Sequence, residues 1–254
     1  MSRPPRILSK TGLYHIYFRG ISRQNLFEEK SDYEKFLCII NEQKTEREFK
    51  LYAYCLMDNH VHLFIREKEA GDIKKIMHSI LTKYVGWFNY KYDRTGVLIS
   101  NRYKSEPIEN ERYCLNLIRY IHQNPLNAGI VNKLEDYLWS SYTEYLQENG
   151  LSLIDTELLF DMLGVTSTQL RNTFVEFHNI VEEIDFSISE SKKLTPAQMN
   201  RKIFNILGIS ADKIIELPKP ERNELILELR KNGFKNRQLE RLTGISRGIL
   251  DRIK

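Results

Sequence analysis

Apolar and polar positions alternate from Gly12 to Arg19 (GLYHIYFR), and this aromatic-rich period of two predicts a strand. The next pattern has a longer period. Tyr33, Phe36, Leu37 and Ile40 recur at helical spacing, and Ser31 is placed to cap a helix from Asp32 to about Glu46. Phe49 to Met57 reads as a second strand, Asp58-Asn59 as a turn, and His60 to Glu67 as the returning strand of a hairpin. Ile73, Ile76, Met77, Ile80, Tyr84 and Phe88 form one stripe of a helix from Asp72 to Tyr92. Arg102 to Ile108 reads as a short strand. A helix from about Asn110 to Gln123 is expected to stop before Pro125, which lacks a backbone N–H. The order β-α-β-β-α-β-α predicts an α+β fold. Its core is a ferredoxin-like or RRM-like βαββαβ sheet with one added helix.

The pattern changes after Trp139-Ser140-Ser141-Tyr142. Residues 149–217 read as a mostly helical extension, and Pro218 and Pro220 mark a boundary. Three short helical segments follow: Arg222 to Lys231, Asn236 to Leu242 and Ser246 to Lys254. Thr243-Gly244-Ile245-Ser246 has the turn and N-cap of a helix-turn-helix, so residues 218–254 are expected to form an all-α DNA-binding region. Residues 1–148 would then be the sheet domain.

With 254 residues and 41% hydrophobic content, the chain is long enough for a packed core. No run of 18 uncharged apolar residues predicts a membrane span, and the basic start Met1 to Arg6 lacks the apolar core of a signal peptide. Cys38, Cys55 and Cys114 have no paired spacing and read as reduced core residues of an intracellular protein. The net charge is +4. From Lys219 to Lys254 there are ten Lys/Arg against five Asp/Glu, so this tail carries +5 and the rest of the chain −1. A basic tail favours a phosphate backbone.

Two histidines one residue apart on a strand, His60 and His62, point to the same face and can share a metal ion. Tyr120 and Asn124, four apart on a helix, also share a face. A metal pair with a tyrosine and an amide suggests phosphoryl transfer with tyrosine as nucleophile. Tyr113 is the rival nucleophile and Tyr84 a more distant one. Arg19, Arg23, Arg102 and Lys104 are candidates for phosphate contact, with Arg102 and Lys104 expected on one strand face. Arg237, Arg247 and Arg252 are the candidates in the tail. His122, two residues beyond Tyr120, is expected to point away from it in a structural or DNA-facing role. Trp139 is expected to be a core anchor.

CLMDNHVHLFI, RYKSEPI and LIRYIHQNPLNAGIV together resemble the REP-associated tyrosine transposases of the IS200/IS605-like (Y1, HUH) superfamily, over residues 8–145. The resemblance implies that residues 1–148 are a Y1 catalytic domain in which His60 and His62 bind Mg²⁺ or Mn²⁺. It implies that Asn124 completes the metal site and that Tyr120 attacks a DNA phosphate. The implied activity is metal-dependent cleavage and strand transfer of single-stranded or hairpin, REP-like DNA through a 5′-phosphotyrosine. The implied setting is the cytoplasm and nucleoid, with a monomer or homodimer and no membrane partner. Gly96-Val97-Leu98-Ile99-Ser100 departs from the Gly-His-Leu-Phe-Gln-like run of related sequences. Two other readings are a relaxase-like or replication-initiator-like nickase and a catalytically silent DNA-binding regulator.

Overall fold

The computed structural model describes residues 6–147, 152–164, 170–179 and 196–253. Four strands, β1 (Leu13–Arg19), β2 (Lys50–Met57), β3 (His60–Arg66) and β4 (Lys104–Pro107), form one antiparallel sheet in the order β2-β3-β1-β4. Helix α1 (Lys30–Arg47) follows β1 and α2 (Ile73–Lys91) follows β3, so the expected β-α-β-β-α-β order holds.

The register assigns the two faces. Tyr14, Ile16 and Phe18 of β1 share a face with Val61, Leu63 and Ile65 of β3, because directly opposed residues point the same way. This face is packed with Phe36, Ile39 and Ile40 of α1 and Ile76, Met77, Ile80, Tyr84 and Phe88 of α2 in one buried cluster. Helix α1 begins at Lys30, ahead of the expected Asp32. The cap is not Ser31: the Asp32 carboxylate accepts the N–H groups of Glu28 and Glu29, at 2.7 and 3.1 Å. Cys55 and Cys114 are buried, but Cys38 sits on the exposed side of α1, which corrects its reading as a core residue.

The other sheet face carries His15, Tyr17, His62, Lys104 and Glu106, and helix α3 (Glu111–Asn127) packs over it. The expected stop before Pro125 is overturned: α3 runs on to Asn127 with Pro125 inside it. A proline deletes one i→i−4 hydrogen bond. The loss falls in the final turn, where Ala128 N–H still reaches the Asn124 carbonyl at 2.9 Å. Asn124 therefore stays helical, one turn after Tyr120. Strand β4 starts only at Lys104, so Arg102 lies outside it, and the two do not share a strand face.

Both sheet edges are finished differently. Along β2, Leu56 N–H donates to the Trp139 carbonyl and Ser141 N–H to the Tyr54 carbonyl. Tyr137 and Tyr145 donate their hydroxyls to the carbonyls of Leu56 and Tyr52, at 2.7 Å each. Asp155 closes the row on Leu51. On the opposite side β4 is only four residues long and includes Pro107. Trp139 stacks on Tyr33 at 4.4 Å, partly buried against the core.

The chain divides into two compact units, Met1–Phe186 and Ser187–Lys254. The segment 149–217 is accordingly split: α4 (Glu157–Leu163) and α5 (Leu170–Asn179) lie in the first unit and α6 (Pro196–Leu207) in the second. The second unit also holds α7 (Lys219–Lys231), α8 (Asn236–Thr243) and α9 (Arg247–Leu250) around Ile203, Ile214, Ile226, Leu229, Leu239, Ile245 and Leu250. Gly244 ends α8 at φ 73°, a left-handed cap that suits glycine. The helix expected over Ser246 to Lys254 is a single turn, Arg247–Leu250; Lys254 lies outside the described residues. Arg230 accounts for this compact end. It donates to the carbonyls of Leu250 and Ile253 and to Asn236 Oδ1, drawing the chain back onto α7. No described helix is long and apolar enough to cross a membrane.

Candidate catalytic and metal site

His60 and His62 lie on β3, where alternation puts both on the face covered by α3. Their ring centroids are 5.3 Å apart and the rings are nearly perpendicular, at 87°. His62 is buried; His60, at the strand start beside the Asp58-Asn59 turn, is partly open. His60 Nδ1 lies 2.7 Å from Asn59 Oδ1. An amide oxygen only accepts, so His60 carries its proton on Nδ1, and Nε2 is its ring nitrogen with a lone pair.

Tyr120 comes down from α3 onto this pair. Its ring stands edge-on to His62, with centroids 5.5 Å apart and planes at 90°, and to His15 at 6.1 Å and 82°. One turn on, Asn124 donates its Nδ2–H to the Tyr120 carbonyl at 2.9 Å, which leaves its oxygen as the atom able to meet a cation. The helix is amphipathic, and Leu117, Ile118 and Ile121 anchor it in the core. The site is therefore built from two rigid elements. Two imidazoles and an amide oxygen are a mixed N/O set of donor types that suits a divalent ion of the Mn²⁺ or Mg²⁺ kind. Among the described residues no cluster of three His, Cys, Asp or Glu forms a closed metal cage.

Tyr113 sits on the same helix, and burial pushes its phenol up to about 12, helped by Glu106 and Tyr120 nearby. Tyr84 is on the opposite face, fully buried, its hydroxyl donated to the Leu26 carbonyl at 2.5 Å. His122 does point away from Tyr120. It is buried in a chain with His178 Nε2 and Ser141 Oγ, 2.8 Å from each, which fits the structural half of its expected role.

Three site residues went unseen in the sequence. His15 on β1 lies 3.0 Å from His62, Nε2 to Nδ1. Its other nitrogen faces Glu106 Oε2 at 3.7 Å, and Tyr17 donates to Glu106 Oε1 at 3.0 Å. Burial holds His15 below the usual imidazole range, against the raising effect of Glu106. The only sequence signal was the alternation that puts His15 and Tyr17 on one face of β1.

The candidate phosphate contacts are dispersed. Arg19 ends β1 directly opposite His60, and Lys104 opposes Tyr17, with its ammonium 5.2 Å from the ring centre. Arg23 and Arg102 are exposed at the loops that flank this sheet. The loop Gly96 to Ser100 continues the sheet beside the end of β1: Ile21 N–H donates to Leu98 and Ser100 N–H to Arg19. In the second unit, Arg237, Arg247 and Arg252 are all exposed, and Arg247 pairs with Asp251 at 3.8 Å.

A four-stranded antiparallel sheet bearing a His-Val-His pair beneath a helix that carries Tyr120 and Tyr113 defines an α+β domain with a candidate histidine–tyrosine site. Residues 9–124 match the family described as "Transposase IS200 like". Transposases are enzymes that cleave DNA and transfer strands. The chain is 25% identical over 154 residues to a Haemophilus influenzae protein provisionally named a REP-associated tyrosine transposase, covering 56% of this chain and 86% of that one. A solved structure titled as a REP-associated tyrosine transposase bound to a REP hairpin is also similar, with a TM-score of 0.49 and 20% identity, over 57% of this chain and 84% of that one.

Proposed function

We propose that the chain cleaves and rejoins single-stranded DNA presented beside a hairpin, with Tyr120 as nucleophile. The observation that carries this reading is the Tyr120 ring held edge-on against His62, above the His60/His62 pair and one turn before Asn124. His60, His62 and Asn124 would hold a divalent ion. When bound, the ion would draw charge from the non-bridging oxygens of the scissile phosphate. Tyr120 forms the new P–O bond in line and the P–O3′ bond breaks. The phenol loses its proton and the 3′-oxygen gains one, leaving a 5′-phosphotyrosine. Because the phosphodiester energy stays in that link, a second 3′-OH can reverse the step without ATP. Helices α7 to α9 would bind the DNA backbone through Arg237, Arg247 and Arg252. Arg19, Arg23, Arg102 and Lys104 would do so around the sheet.

The test is a denaturing gel for a covalent protein–DNA adduct. Hairpin oligonucleotides from DNA flanking the gene are incubated with Mn²⁺ or Mg²⁺. The adduct is expected in wild type and lost in Tyr120→Phe, with binding kept. An adduct that persists in Tyr120→Phe and disappears in Tyr113→Phe would move the nucleophile to Tyr113. No adduct on oligonucleotides that bind would favour the silent regulator.

A further inference from the structure

The contact between His15 and His62 has a defined geometry. The two rings lie within 17° of one plane, with centroids 5.2 Å apart across a 3.0 Å Nε2–Nδ1 contact. They meet end to end, so the in-plane lone pair of one nitrogen is aimed at the proton of the other. Contact distance alone leaves the direction open. The far end of the chain decides it. His15 Nδ1 and Glu106 Oε2 are buried and face each other at 3.7 Å, just beyond hydrogen-bond length, and neither has a hydrogen-bond partner among the described residues, so each is the polar atom the other can reach by a small shift. A carboxylate only accepts. Tyr17 donates to its other oxygen and holds it in place.

We infer that Glu106, held by Tyr17, sets the hydrogen-bond direction through His15 so that His62 carries its proton on Nδ1 and presents the Nε2 lone pair to the metal site. Glu106 accepts from His15 Nδ1–H. His15 Nε2, now unprotonated, accepts from His62 Nδ1–H. His15 is thus a positioning residue and Glu106 the polar anchor. Imidazole ligands are commonly oriented this way by a carboxylate or carbonyl behind them; here a second imidazole is interposed, so the carboxylate acts across the width of β1. His60 reaches the same tautomer through Asn59. The inference rests on the reading of His60 and His62 as metal ligands only for its consequence; the tautomer itself is independent of metal.

Two measurements separate the claims. Imidazole ¹⁵N NMR of the full-length, metal-free protein at neutral pH reads which nitrogen of His62 is protonated. Mn²⁺ titration, followed by the free-ion EPR signal, reads affinity. Wild type is expected to show His62 protonated on Nδ1. Glu106→Gln keeps the shape but offers an amide that can donate to His15 Nδ1. This variant is expected to give mixed or reversed His62 tautomers and Mn²⁺ affinity roughly 10- to 100-fold weaker. His15→Phe is expected to weaken Mn²⁺ to a similar extent. His15→Gln, whose amide can accept from His62 and donate to Glu106, should restore part of the loss. A wild-type His62 protonated on Nε2, or a Glu106→Gln variant with unchanged tautomer, overturns the inference. If His60→Ala and wild type bind Mn²⁺ equally, the metal reading falls while the tautomer result still stands on its own.

Discussion

His122 and His178 form a buried pair of neutral imidazoles that ties α5 to the underside of the helix carrying Tyr120. His178 Nδ1 donates to the Phe174 carbonyl and its Nε2 accepts from His122; His122 in turn meets Ser141, which bridges to Tyr54 on β2. Burial is the main cause of both pKa shifts: His178 is lowered to about 3 and His122 well below its ordinary value. A histidine depressed in the fold contributes stability that is present above the unfolded pKa of 6.5 and lost as pH falls toward the folded value. The unfolded chain binds more protons in that window, so acid destabilises. For His178 alone the loss at about pH 5 is ~2 kcal/mol. The denaturation midpoint should fall from pH 7.5 to 5 in wild type and fall less in His178→Gln; equal slopes would contradict a neutral buried His178. None of this pairing was legible beforehand. His60 and His62 declare themselves by spacing, whereas His15 and His178 acquire meaning only from partners 47 and 56 positions away.

The helix α3 shows how far element patterns carry. Its presence and the spacing of Tyr120 and Asn124 were readable, and the structure places both residues on one helix. Its end was not readable, because a proline is a local signal and the last turn is held by packing of Leu117, Ile121 and Pro125. The turn after β1 is the element on which the His60 end of the sheet depends. Gly20 N–H donates to the Asn59 carbonyl at 2.9 Å, and a Cβ at Gly20 would lie 2.0 Å from the Gln24 carbonyl oxygen, a backbone atom that cannot swing aside. Gly20→Ala should therefore cost about 1–3 kcal/mol in denaturant unfolding. Because Asn59 holds His60, the same variant should also weaken Mn²⁺ binding. A variant with wild-type stability would show that the turn relaxes freely.

At the scale of the whole molecule, composition located the basic excess in the tail, and the compact unit that holds it begins ahead of Pro218. Pro218 reads as a boundary, yet α6 and the turn Ala211–Glu216 contribute Met199, Ile203, Ala211 and Ile214 to the same core as α7 to α9. Removing residues 219–254 would cut through that core, so surface charges are the cleaner probe. Replacing Arg237, Arg247 and Arg252 together by Ala should flatten the dependence of log K on log salt by up to about 3 for hairpin DNA, measured by fluorescence anisotropy. An unchanged slope would assign those helices no backbone contact. The treatment of the sheet edges bears on how copies of this chain can meet. The outer row of β2 is already taken by Trp139, Ser141 and Asp155, and β4 is short and contains Lys104 and Pro107. Lysine and proline on a short edge discourage strand addition. Neither flank offers a second copy a ladder to extend, so a pair of these molecules would join through side-chain surfaces, and its sheets would stay separate rather than merge into a continuous eight-stranded one.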